Sequence, residues 1–151
     1  METMIQEILE ELLARLSTPF RKIRIEKRPD SGYRVNIESE EPSLLIGHHG
    51  ENITALQNIL KSILWNKTDE DFSLVLDIDD YRKRQEENVI KMAERKVEMV
   101  RKNKQPQPLP AMSAYFRRVV HLYLAEKFHD VETESIGEGD FRHIEIKPKA
   151  A

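Results

Sequence analysis

Leu44-Leu45-Ile46-Gly47-His48-His49-Gly50-Glu51-Asn52-Ile53-Thr54-Ala55-Leu56 sets an apolar turn, a Gly-x-x-Gly loop and the start of an amphipathic helix in immediate succession. Glycine has no Cβ, so two of them three apart let the chain turn tightly with nothing projecting at either end. A sugar-phosphate backbone can lie close against such a loop. The helix that follows Gly50 turns its first amides and its dipole toward a phosphate held there. The stretch therefore points to RNA.

Upstream, Ile5, Ile8, Leu9, Leu12, Leu13 and Leu16 recur at the helical period with acids and Arg15 between them, and Pro19 ends that helix. Residues 22–27 and 33–37 alternate (Ile23, Ile25; Tyr33, Val35, Ile37), and the Pro29-Asp30-Ser31-Gly32 turn between them predicts an antiparallel hairpin. Pro42-Ser43 opens a short helix that Gly47 stops. Ile53, Leu56, Ile59, Leu60 and Ile63 share one face of the next helix, and residues 72–78 return to period two. The order helix, strand, strand, helix, Gly-x-x-Gly, helix, strand can bury a three-stranded sheet under three helices, which predicts an α+β domain over residues 1–80.

A second, smaller α/β unit is predicted over residues 81–149. Its long connecting helix, 81–103, buries Val89, Ala93, Val97 and Val100. Gln105-Pro106-Gln107-Pro108-Leu109-Pro110 cannot be helical and reads as a stiff connector or an edge strand. From Ser113 a further helix turns Phe116, Val119, Val120, Tyr123 and Leu124 toward a core. Residues 131–135 and 141–146 read as strands around Gly137-Glu138-Gly139.

The chain has 151 residues and no cysteine, which excludes a disulfide framework, a thiolate zinc site and a cysteine nucleophile. No apolar run approaches the roughly 18 residues of a spanning helix. The first turns carry Glu2, Glu7, Glu10 and Glu11, unlike a signal peptide. A cytoplasmic chain without membrane insertion is expected.

The net charge of −3 is unevenly divided: residues 1–80 hold 9 Lys/Arg against 16 Asp/Glu, and residues 81–151 hold 15 against 11. Residues 82–118 alone carry 11 basic side chains, from Arg82 to Arg118, against 4 acidic ones. Such a stripe can track phosphates. The same charges also fit a solvated helix face with pairs such as Glu87 and Lys91. On the last helix Arg117 and His121 lie one turn apart at the flank of the apolar stripe, with Arg118 toward solvent. A guanidinium forks onto phosphate oxygens and an imidazole can donate beside it. The plainer alternative is an Arg and a His edging a packed helix.

The element order around Ile46-Gly47-His48-His49-Gly50 resembles a KH domain of the second topological type. In KH domains the Gly-x-x-Gly loop clamps about four nucleotides of single strand. The run from Pro110 to His121, followed by Glu132-Thr133-Glu134-Ser135-Ile136-Gly137-Glu138-Gly139-Asp140-Phe141-Arg142, is similar to the R-three-H (Arg-x-x-x-His) domain of the bacterial Jag family, also called KhpB, EloR or SpoIIIJ-associated. The join Leu76-Asp77-Ile78-Asp79-Asp80-Tyr81-Arg82-Lys83-Arg84-Gln85-Glu86-Glu87 resembles the family's link between the two domains, and the likeness extends over residues 41–147. His48 and His49 stand where members usually hold Lys or Arg, and Ala114 and Phe116 replace a proline and an acid.

The resemblance implies that Gly47 and Gly50 admit phosphates at a loop carrying His48 and His49, with Leu45, Ile46 and Ile53 lining a groove for bases. It implies that Arg117, Arg118, His121 and Arg142 hold phosphates or stack on bases. The expected function is a regulator or chaperone of RNA, linked in this family to cell elongation and division. Its ligand is single-stranded RNA, with single-stranded DNA as a second class and a small KH-only protein as partner. The chain reads as a short form without the family's N-terminal domain. The rival expectation is an adaptor whose acidic first half docks a protein, with nucleic acid secondary. If His48 and His49 face phosphate, binding should tighten as pH falls from about 7.5 to 6, because imidazoles as a class gain charge there. His48, His49, His121, His129 and His143 lack the spacing of a metal site, and neither a serine elbow nor a Walker loop occurs. No enzyme, metal or cofactor is expected.

Overall fold

The computed structural model describes residues 1–150. In chain order its elements are α1 (Glu2–Arg15), β1 (Phe20–Lys27), β2 (Tyr33–Ser39), α2 (Pro42–Ile46), α3 (Glu51–Trp65), β3 (Leu74–Ile78), α4 (Tyr81–Asn103), β4 (Gln107–Pro108), α5 (Ala114–Lys127), β5 (Val131–Ile136) and β6 (His143–Pro148). Single 3-10 turns occupy His48–Gly50 and Gly139–Phe141. The chain divides into two units, Met1–Arg82 and Lys83–Ala151, the division falling in the first turn of α4.

The first unit is α+β. Its sheet has the order β1-β2-β3, with β1 antiparallel to β2 and β2 parallel to β3. Tyr33, Val35 and Ile37 on β2 and Leu74, Leu76 and Ile78 on β3 alternate onto one face. Ile5, Leu9 and Leu13 of α1 and Ile53, Leu56, Leu60 and Leu64 of α3 pack in the same core. Each such side chain contributes about 1.5–3 kcal/mol when fully buried.

Two residues expected on buried faces lie outside. Leu16 is exposed because it caps the end of α1. Ile59 is exposed because the buried positions of α3 run 53, 56, 60, 64, and a step of one residue turns it off that stripe; Leu64 takes the inner place.

The other sheet face is polar, and Asp77 organises it. Its carboxylate, 0% exposed, accepts hydrogen bonds from the amides of Ile78 and Arg82 at 2.8 Å each and from Arg34 Nη2 at 3.0 Å. A buried carboxylate needs such partners. Through Arg82 N it also ties the end of β3 to the start of α4, where Asp79 and Asp80 adopt positive φ.

In the second unit β4, β6 and β5 form an antiparallel sheet in that order. The Pro-rich segment thus supplies a two-residue edge strand, the position in which proline's missing N–H is tolerated. Val89, Ala93, Val97 and Val100 of α4 pack with Leu109, Val120, Leu124, Val131, Ile144 and Ile146. The long helix is therefore a wall of the second core. Glu86 and Glu94 on α4 accept hydrogen bonds from Tyr115 and Tyr123 on α5, and the bond from Tyr123 raises its phenol pKa.

Candidate nucleic-acid interface

In the first unit, α2 ends at Gly47, whose amide donates to Ser43 O at 3.0 Å. Gly47 sits at φ 73°, ψ −178°, a region essentially reserved for glycine, and a Cβ there would fall 2.6 Å from the side chain of Asn52. Asn52 holds the loop by donating Nδ2 to Leu44 O at 2.7 Å. Gly50 follows at φ 79° as the residue before α3, and its amide reaches back to Gly47 O at 3.4 Å. Between the glycines, His48 and His49 are exposed with ring centroids 4.0 Å apart, and His49 itself has φ 52°. The loop thus presents backbone and two imidazoles.

Of the predicted groove residues, Leu45 and Ile53 are 5% and 1% exposed and belong to the core, so they support the surface from below. Ile46 is half-buried and its neighbour Leu44 is exposed. Leu44 and Asn52 escaped the sequence reading, because a run of three apolar residues does not reveal which one faces out.

Arg82, counted in the basic stripe, is a correction: it is 5% exposed and lies in the first unit. Its Nη1 donates to Gln57 Oε1 at 2.9 Å and its Nη2 to Thr54 Oγ1 at 3.4 Å, both on α3. Burial and the charge of Arg82 lower the pKa of Lys61 on the same helix.

In the second unit, α5 starts after Ser113 and carries Arg117, Arg118 and His121. Arg117 is half-buried and donates Nη1 to Met112 O at 2.6 Å, whereas Arg118 is exposed. Met112 N in turn donates to Arg142 O at 3.3 Å, which links the start of α5 to the start of β6. Arg142 donates its own Nη1 to Gly137 O at 2.7 Å. His121 is exposed and its Nδ1 meets Thr133 Oγ1 on β5, beside a cavity of about 230 Å³ that Phe128, His129 and Lys149 also line. Arg117 and Arg142 thus share Met112, and His121 is tied to the sheet.

Residues 87–148 match the R-three-H domain family. The match takes in Arg117, His121 and Arg142 and the sheet that braces them. The chain is 29% identical to the RNA-binding protein KhpB of Bacillus subtilis over 117 residues, 77% of this chain and 56% of that protein. It is 30% identical to the RNA-binding protein KhpB of Lactiplantibacillus plantarum over 112 residues, 74% of this chain and 34% of that protein. With the protein of the same name in Streptococcus pneumoniae it shares 22% identity over 147 residues, 94% of this chain and 44% of that protein. It therefore spans about half the length of these relatives or less. Among the described residues no helix is long and apolar enough to cross a membrane, and no group of three or more His, Asp or Glu is arranged to hold a metal.

Proposed function

We propose that this chain is a cytoplasmic RNA-binding protein that holds single-stranded RNA through a type II KH unit over residues 1–80 and an R-three-H unit over residues 81–149. The observation that carries the reading is the R-three-H match over the helix on which Arg117 and His121 lie one turn apart. Similarity to three proteins named as RNA-binding supports it. So does the paired-glycine loop ahead of α3 in a unit with a parallel β2/β3 pair.

In this reading Gly47 and Gly50 admit the strand's phosphates, while His48 and His49 flank them. Leu44 and Ile46 meet bases over a floor of Leu45 and Ile53. Arg117, Arg118, His121 and Arg142 hold phosphate with the donors that their internal bonds leave over. Two modest sites on one chain gain affinity through effective concentration. Acting as a regulator or chaperone of RNA in cell elongation and division is the cellular role that accords with the family.

The test is fluorescence anisotropy with a pool of roughly 12-nucleotide single-stranded RNAs, matched DNA and duplex RNA at two salt concentrations. Tighter, salt-sensitive binding to single-stranded RNA is expected. Absence of binding at tens of micromolar would defeat the reading.

A second reading, a protein-docking adaptor, is favoured by two observations. Residues 1–80 carry 16 Asp/Glu against 9 Lys/Arg, and Leu16, Ile59 and Trp65 of the first unit are exposed. A small KH-only protein would be the partner. Capture of that partner should survive nuclease treatment; its loss on treatment would count against the adaptor.

A further inference from the structure

Phe141 is the most exposed large hydrophobic side chain among the described residues, at 83%. Single exposed apolar residues are ordinary, so exposure alone decides nothing. The backbone under this one, however, is braced from several sides. Phe141 N donates to Glu138 O and Arg142 N to Gly139 O, each at 3.2 Å, closing the 3-10 turn. Arg142 Nη1 clamps Gly137 O at 2.7 Å, and His143 Nδ1 lies 3.0 Å from Phe141 O. Gly137 has φ 90°, and a Cβ there would come within 3.1 Å of the Phe141 carbonyl oxygen. The turn is tied by these hydrogen bonds, yet the ring it carries faces water.

The turn that carries the ring holds charges of both signs. Glu138 and Asp140 precede it, while Arg142 follows and connects through Met112 to Arg117. A polyanion laid over the ring would meet the two acids, which disfavours a phosphate there and an acidic membrane surface alike. A flat neutral ring whose attached phosphate is taken by the neighbouring Arg142 meets no such penalty. Nucleobases fit that description, and every base offers a π-face to an aromatic side chain.

We propose that Phe141 is a base-stacking platform, on which a base of the bound strand lies while the adjoining phosphate is held by Arg117 and Arg142. The inference rests on the RNA-binding reading above. It adds a residue that acts on the base, where the arginines act on the backbone.

The test crosses two changes, Phe141→Ala in the protein and removal of the bases from a 12-nucleotide ribose-phosphate strand. On the base-bearing RNA, Phe141→Ala should weaken binding by about 5- to 150-fold, the usual range for losing one stacked base. Phe141→Trp should keep wild-type affinity or exceed it. On the abasic strand wild type and Phe141→Ala should bind alike. Thermal melting of all three proteins should coincide, because the ring buries little. An equal loss on both strands, no loss on the base-bearing strand, or a Trp variant as weak as Ala would overturn the proposal. A wild-type protein that binds neither strand would remove the RNA-binding reading itself, and the proposal with it.

Discussion

Arg117 donates its guanidinium Nη1 to the main-chain carbonyl of Met112 at 2.6 Å. The arginine is thereby anchored to the segment that leads into its own helix, and Met112 N is bonded to Arg142 O. A guanidinium fixed at one corner has its remaining N–H groups pre-oriented, which reduces the entropy lost on gripping a phosphate.

Arg117→Glu should therefore reduce single-stranded RNA affinity with the fold retained. Arg117→Ala should flatten the dependence of log affinity on log salt by about one contact's worth. Losing the bond to Met112 should also lower stability by about 1–2 kcal/mol. Anisotropy titrations at several salt concentrations and a chemical melt separate the two effects. Unchanged affinity and slope in both variants would remove Arg117 from the interface.

The two loop glycines should separate in their response to substitution. Gly47→Ala meets both a glycine-only backbone region and Asn52 at 2.6 Å, so it should lower stability by about 1–3 kcal/mol from strain alone. Gly50 lies in the left-handed helical region, and its nearest obstacle to a Cβ is Ile53 Cγ2 at 3.5 Å. Asp tolerates that region better than most residues. Gly50→Asp should thus stay folded while its carboxylate repels phosphate, lowering RNA affinity. Melting curves and anisotropy on the pair check both halves.

Asp77→Ala removes the carboxylate that accepts from Arg34, Ile78 and Arg82 in a fully buried position. Breaking such a set strands buried donors and should cost about 3–5 kcal/mol. The effect is measured by denaturant unfolding of the full chain, where the first unit's transition should shift to lower denaturant.

Asp130 and Arg101 form a two-pronged pair in the second unit, with Nε to Oδ2 at 2.7 Å and Nη2 to Oδ1 at 2.9 Å. The bonds from Arg101 hold the Asp130 carboxyl at a pKa of about 2 and push the guanidinium's pKa up. A carboxylate whose pKa is depressed by folding stabilises above its unfolded value, and that stabilisation fades as pH falls from about 4 to about 2. Asp130→Asn should accordingly melt lower than wild type at pH 7, and the two curves should converge near pH 2. A constant gap across that window would contradict the linkage.

Much of the fold was legible in the residues themselves. Helical spacing located α1, α3 and α4, the Pro29-to-Gly32 turn located the β1/β2 hairpin, and the pair Gly47 and Gly50 located the loop. These signals are local, because periodicity and glycine conformation depend only on near neighbours. Arg117, Arg118 and His121 were placed on one helix by its spacing, whereas their proposed role and that of Arg142 came from the family resemblance.

What the tertiary structure alone decided is which member of each local group faces water. Leu44 is outside and Leu45 and Ile53 inside, Arg82 at the start of α4 is buried against α3 while Arg118 is exposed, and Phe141 points out from a braced turn. Such choices depend on what packs against an element from elsewhere in the chain. Gln57 lies 25 residues from Arg82, and Asp77 lies 43 from Arg34. Chemistry fixes which residues are capable of binding, and long-range packing selects those that are free to do so.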